Sequence, residues 1–169
     1  MFAAPLKSHF RSIFTRPKKV IKPMLTPTPS RSKPTTLAQL IAKCESNNDQ
    51  FAVRFERLYH PKSDNVSKLA HQSRITFTTA EILCSMSFGY YQIMGDNLVS
   101  LGLEGSIIEY CASPQLQDVF FNRYCTQNHC VYSLEEILTD QTKREDFAKK
   151  YNGPGNITAY SQRLLAMVN

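Results

Sequence analysis

Three short segments carry residues whose types suit chemistry on a sugar. They are Cys44-Glu45-Ser46, Gly89-Tyr90-Tyr91-Gln92-Ile93-Met94-Gly95 and Tyr151-Asn152-Gly153-Pro154-Gly155. A carboxyl group held at the mouth of a groove can donate a proton to a glycosidic oxygen if its surroundings keep it protonated near neutral pH, and Glu45 is the candidate donor. Gln92 can donate to and accept from acetamido and hydroxyl groups, and Gly89 lets backbone approach a ligand closely. Tyr90 and Tyr91 offer aromatic faces to a pyranose ring. Tyr151 and Asn152, at a helix end, can bracket Glu45 and an acetamido group. Ordinary core packing is the competing reading of each tyrosine, as a solvated helix end is for Glu45.

The elements that must position these residues are partly written in the spacing. Thr36-Leu37-Ala38-Gln39 is a capping-box pattern, and Leu37, Leu40, Ile41 and Cys44 repeat at helical spacing. Glu45 then falls at the C-terminal end of that helix, where the negative end of the helix dipole and apolar neighbours favour the protonated acid. Residues 51 to 59 alternate, with Phe51, Val53, Phe55 and Tyr59 against Arg54, Glu56 and His60, which predicts a half-buried strand. The stretch Arg74 to Thr78 is the expected partner strand, across a polar loop. Ser113-Pro114 reads as N-cap and first helical position, followed by a buried stripe of Leu116, Val119, Phe120 and Tyr124. Ser133 with Glu136, and Thr142 with Glu145, match capping boxes of two further helices. Gly153-Pro154-Gly155 breaks the chain before a terminal helix marked by Ile157, Tyr160, Leu164 and Val168. The expected class is α+β, mainly helical, with a small antiparallel sheet beside the helix that ends in Glu45. No internal repeat is present.

At 169 residues and 42% hydrophobic content the chain can bury one core. The net charge of +6 is unevenly placed: residues 1 to 36 hold eight of the 20 basic residues and no acidic one, leaving 12 basic against 14 acidic from Leu37 onward. Residues 17 to 34 contain five prolines among Lys, Ser and Thr, so residues 1 to 34 are expected to be a basic, flexible arm and residues 35 to 169 the folded domain. Within the arm, Phe2, Leu6, Phe10, Ile13 and Phe14 fall near helical spacing between basic residues, a pattern suited to an anionic membrane, lipopolysaccharide, nucleic acid or virion components. A nucleic-acid-binding domain is disfavoured because the folded part is formally acidic. No apolar run is long enough to span a bilayer, and the N-terminus lacks the apolar core of a secretory signal. Five cysteines form an odd set without a CxxC pair, so neither a disulfide framework nor a zinc ribbon is expected. Cys125, His129 and Cys130 fit no common metal spacing, and no metal or cofactor is expected.

Taken together the segments resemble the lysozyme superfamily, specifically phage endolysins of the N-acetylmuramidase type and the related soluble lytic transglycosylases. Cys44-Glu45-Ser46 is similar to the Glu-Ser that carries the family's catalytic acid, and Phe55-Glu56-Arg57 resembles a Phe-Glu-Arg segment of the muramidase branch. Ser87 to Gly95 resembles the Ser-x-Gly-x-x-Gln-Ile-Met-Gly segment, and Phe147 to Gly155 the Phe-Ala-x-x-Tyr-Asn-Gly-Pro-Gly segment. The resemblance spans about residues 37 to 168. The chain departs from it at Tyr90-Tyr91, where Gly-Leu is frequent, and in the polar stretch from Pro61 to Ser73.

The resemblance implies a lysozyme-like fold and cleavage of the bond between N-acetylmuramic acid and N-acetylglucosamine in peptidoglycan, at the bacterial cell wall. It implies delivery from a phage virion or from the host cytoplasm. Glu45 is then the acid, with Ser46, Gly89, Tyr90, Tyr91, Gln92, Tyr151 and Asn152 contacting substrate. Glu56 is either a second carboxylate that serves a hydrolase or the partner of Arg54 or Arg57 in a structural ion pair. A lytic transglycosylase, in which the sugar's own 6-hydroxyl attacks to leave a 1,6-anhydro end, needs no second carboxylate. A catalytically silent structural module of a virion is the remaining alternative.

Overall fold

The computed structural model describes residues 33–168; the amphipathic stretch from Phe2 to Phe14 and most of the proline-rich stretch lie outside them. Helix α1 (Leu37–Ser46) starts where its cap predicts. The Thr36 hydroxyl accepts from Gln39 N at 3.2 Å, while the Gln39 side chain reaches back to Thr35 N at 2.8 Å. Leu40, Ile41 and Cys44 are buried. Asn47, at φ 54°, ends the helix, so Glu45 lies in its last turn.

Strand β1 is only Val53–Phe55. The alternation is real but its apolar face is bare: Phe51, Val53 and Phe55 are 61%, 50% and 54% exposed. Strand β1 pairs with β2 (Met86–Phe88), which pairs in turn with β3 (Ile93–Met94), both antiparallel, and the other described elements leave the Phe51, Val53 and Phe55 face largely open. Arg54 lies opposite Ser87, and Ser87 opposite Met94. The expected partner strand at 74 to 78 does not form. The polar stretch before it is helix α2 (Ser63–Ser73), with Val66 and Leu69 buried, closed by Arg74 at φ 53°. Thr76 then accepts from Thr79 N at 3.1 Å and opens α3 (Phe77–Cys84). Capping chemistry decides this stretch over the apolar alternation.

Helices α4 (Gly95–Ser100) and α5 (Ile107–Ala112) lead to α6 (Pro114–Gln127), capped by Ser113 with Pro114 in its first turn as expected. Its buried face is Gln117, Phe120, Phe121 and Cys125, one step out of phase with the predicted stripe, and Val119 is exposed. The Ser133–Glu136 box opens α7 (Leu134–Thr139) with both reciprocal bonds. Helix α8 (Gln141–Asn152) begins before Thr142, because Asp140 accepts from Lys143 N at 3.1 Å, and Glu145 instead accepts from the Gln141 side chain. Gly153, at φ 86°, turns the chain through a short 3-10 segment, Pro154–Asn156, into α9 (Ile157–Ala166), which stops short of Val168.

Among the described residues this is an α+β fold, mainly helical, around one core that includes Leu40, Ile41, Tyr110, Phe120, Phe147 and Leu164. Buried Arg144 ties α7, α8 and α9 together: its Nε donates to Ser161 Oγ at 2.9 Å and an Nη to the Ile137 carbonyl at 2.9 Å. Lys43 of α1 donates to the Met167 carbonyl at 2.7 Å, satisfying the end of α9. The Lys43 tie holds the end of α9 against the C-terminal half of α1. None of the described helices is long and apolar enough to cross a membrane.

Candidate active site

A cleft of about 530 Å³ runs between the small sheet and the ends of α6 and α8. Arg54, Glu56, Leu58 and Tyr59 line one side, Tyr91 to Met94 and Asn97 the floor, and Tyr124 with Lys150 to Gly153 the other. Of the residues expected to act on substrate, Glu56, Tyr91, Gln92, Tyr151 and Asn152 are brought together here. Glu45, Ser46, Gly89 and Tyr90 are not among the lining residues.

The Glu45 side chain is 5% exposed and turned toward α9. Its Oε1 accepts from the Tyr160 hydroxyl at 2.6 Å and from an Arg163 guanidinium nitrogen at 3.2 Å. Arg163 also donates to Cys44 Sγ at 2.9 Å and lies over the Tyr160 ring, 5.2 Å from its centre. Tyr160 stacks in turn on Tyr151 of the cleft wall, with ring centres 6.5 Å apart. Burial, and next the charge of Glu45, push the Tyr160 hydroxyl well above the usual phenol range, so it remains a donor. Glu45 is thus joined to the cleft wall through two tyrosines.

Ser46 serves the frame. Its Oγ lies 2.9 Å from the Ala42 carbonyl and 3.0 Å from that of Tyr90, fastening the end of α1 to the β2–β3 turn. Gly89 is required for a reason other than substrate approach. At φ 74° it faces the fully buried Gln117, whose Oε1 would stand 2.2 Å from an added Cβ. That same Oε1 accepts from Tyr90 N at 2.7 Å, while Nε2 donates to the carbonyls of Gln50 and Cys111, each at 3.1 Å. One amide therefore sets the path of the turn.

Gln92, at φ 48°, spends its side chain on the same turn: Oε1 accepts from Ser87 Oγ at 2.9 Å, and Nε2 donates to Ala52 O at 3.1 Å and Gly89 O at 3.0 Å. Tyr90 donates to Gln50 Oε1 at 3.3 Å. Tyr91 is buried, stacks on Phe121 with ring centres 4.4 Å apart and donates to Asp118. Burial first, then Asp118, raises its hydroxyl. Tyr151 is buried against Phe147 and donates to the Tyr91 carbonyl at 2.8 Å, closing the wall. Asn152 is exposed in the cleft, and its side-chain amide makes no hydrogen bond to another described residue. Glu56 projects just past β1 and pairs with Arg54 at 2.5 Å.

Sequence reasoning missed the partners. Tyr160 and Arg163 are three apart, so one helical face carries both, but nothing in the sequence links that face to Glu45. Fully buried Asp96 is another: it accepts from Tyr59 Oη at 2.7 Å, Lys62 N at 3.1 Å and Asn65 Nδ2 at 2.8 Å, pinning the cleft rim that carries Glu56 and Leu58. Its place directly after Met94-Gly95 is the signal that was available.

A mainly helical domain with a three-stranded antiparallel sheet, a cleft at their junction and a glutamate in the last turn of the first described helix is a lysozyme-like α+β arrangement. The chain matches the model of the N-acetylmuramidase family across residues 30–169 and belongs to that family. It is also 30% identical over 128 residues to the endolysin of Enterobacteria phage PRD1, an alignment covering 70% of this chain and 86% of the phage protein. No solved structure matches the chain significantly.

Proposed function

We propose that the protein hydrolyses the bond between N-acetylmuramic acid and N-acetylglucosamine, with Glu45 as proton donor and Glu56 as the second carboxylate. The observation that carries this is the setting of Glu45: a nearly buried carboxyl in the last turn of α1, hydrogen-bonded at 2.6 Å to a tyrosine that packs on the cleft wall. Delivery of the proton requires Glu45 to turn from Arg163 toward the cleft when a strand is bound. The proton passes to the leaving oxygen while positive charge builds on the cleaved sugar. Glu56, already in the cleft, then stabilises that charge or activates the attacking water. Asn152 offers a free amide to an acetamido group, and Leu58 an apolar face at the rim.

A second reading, the lytic transglycosylase, draws support from the Arg54–Glu56 pair, which occupies the second carboxylate. There Glu45 acts as acid and then as base, and the 6-hydroxyl attacks. Either reaction places the enzyme's work at the bacterial cell wall, reached from a virion or from the host cytoplasm. Residues 35 to 169 act as the catalytic domain, and the basic arm of residues 1 to 34 suits an anionic surface there.

The deciding experiment is mass spectrometry of soluble products from purified peptidoglycan, with Glu45→Gln as control. Reducing N-acetylmuramic acid ends are expected, and the control should lose on the order of a hundredfold in rate with its fold intact. Anhydro ends, lighter by one water, would instead establish the transglycosylase, and normal activity in the control would remove Glu45 from the mechanism.

A further inference from the structure

The C-terminus of α6 ends in a motif with a chemical consequence. His129, at φ 53°, follows the last helical residues, and its N–H donates to the Thr126 carbonyl at 3.2 Å. The next N–H, that of Cys130, reaches back to the Cys125 carbonyl at 2.9 Å. This double return is the Schellman arrangement, in which the residue two past the cap meets the side chain five positions earlier, usually as an apolar contact. Here the residues at both of those positions are cysteines. Cys125 and Cys130 are free and buried, and the backbone bond between them sets the two residues side by side.

A cavity of about 260 Å³, with exposed Val131 among its lining residues, is bordered by both cysteines, of which Cys125 is 5% exposed and Cys130 fully buried. Lys150 donates to the His129 carbonyl at 3.0 Å and pairs with Asp146 at 2.6 Å, so the side chains beside the pair carry both signs of charge.

We propose that Cys125 and Cys130 form a dithiol site for two-electron oxidation, closed to an intramolecular disulfide by a small-molecule disulfide such as glutathione disulfide. One thiolate of the pair attacks one sulfur of the oxidant and expels one thiol, forming a mixed disulfide. The other cysteine then attacks the protein sulfur of that mixed disulfide and expels the second. Two protein thiols are oxidised, the oxidant's disulfide is reduced to two thiols, and the two protons leave with them. The backbone bond already in place holds the two residues close, as an unstrained S–S bond requires. The new bond would lie directly behind the cleft wall, because Tyr124 and Lys150 line the cleft and Tyr124 donates to the Tyr151 carbonyl at 3.2 Å. The site is independent of which bond the enzyme cleaves.

The test exposes the full chain to glutathione disulfide, quenches it in acid, then counts alkylatable thiols in denaturant and maps peptides. The count is expected to fall from the five cysteines present to three, with a single peptide holding Cys125 and Cys130 lighter by about 2 Da. Cys130→Ser should show no such loss. A separate melting comparison should find oxidised full chain raised by a few degrees over reduced, and Cys130→Ser unshifted. Five thiols still reactive, a bond joining other cysteines, or a persistent mixed disulfide at Cys130 would each overturn the proposal.

Discussion

The Tyr160 hydroxyl donates to Glu45 Oε1 at 2.6 Å, joining the last turn of α1 to α9 across 115 positions of sequence. Arg163 reaches the same oxygen from the next turn of α9, and Lys43 ties the end of that helix back to α1. The carboxyl's orientation therefore depends on how α9 docks, and α9 is held by Arg144 and the core.

Tyr160→Phe removes the hydroxyl and keeps the ring stack. Hydrogen bonds to charged groups contribute ~1.5–3 kcal/mol, so kcat on purified peptidoglycan should fall roughly tenfold or more with KM little changed. An unchanged kcat would mean that Glu45 acts in an orientation Tyr160 does not influence.

Glu56→Gln keeps the shape of the cleft rim but removes the charge. The exposed pair with Arg54 contributes little to stability, so the melting temperature should stay within about a degree or two. Hydrolysis should drop by on the order of a hundredfold. Full activity would leave Glu56 as an ion-pair partner and turn attention to the transglycosylase route.

How far the sequence could be read follows from these cases. Caps carry their own local chemistry, so the starts of α1, α6 and α7 were legible from Thr36, Ser113 and Ser133. The sheet was harder. Phe51, Val53 and Phe55 alternate as a half-buried strand does, but whether a face is covered depends on what packs there, and the alternation cannot report it. Arg74 to Thr78 misled because its apolar residues, Ile75 and Phe77, flank a capping threonine. At the site, the cleft residues with recognisable spacing were found, while Tyr160, Arg163, Asp96 and Gln117 act through contacts made only in the folded chain. Gly89 and Gln92 were legible as important but for another reason: the turn itself uses them.

Gly89→Ala tests that reason. Its Cβ would stand 2.2 Å from Gln117 Oε1 at a backbone angle that suits glycine, so the variant should lose ~1–3 kcal/mol and melt several degrees lower. Calorimetry or circular dichroism melts decide it, and an unchanged midpoint would show that Gln117 can move aside without cost.

Tyr110 offers a change of opposite sign. Its ring is fully buried, and its hydroxyl has no hydrogen-bond partner among the described residues. Because an unsatisfied buried hydroxyl costs ~1–3 kcal/mol, Tyr110→Phe should leave denaturant stability equal or raise it by about 1 kcal/mol. A clear loss would reveal a partner for that oxygen.

Alkaline pH should unfold the protein through its tyrosines. Burial raises the hydroxyl of Tyr124 to about 12 and pushes those of Tyr91, Tyr110, Tyr151 and Tyr160 higher. In the unfolded chain these groups ionise near ~10, so above that pH the unfolded state binds fewer protons than the native one and stability falls. Their contribution is intact below pH ~10 and lost through 12 and beyond. Denaturant titrations from pH 8 to 11 should show a flat region, then a steep decline. A phenolate absorbance rise that came well before unfolding would contradict this.

Among the described residues, the outer edge of β1 leaves a row of backbone donors and acceptors next to exposed Val53 and Phe55, an invitation for a second chain to add a strand. Two features limit it. The strand is three residues long, and an antiparallel pairing of two copies about its centre would set Arg54 against Arg54, like charges directly opposed. The residue that pairs with Glu56 in the cleft thus also discourages self-association, so replacing Arg54 with an apolar residue risks solubility.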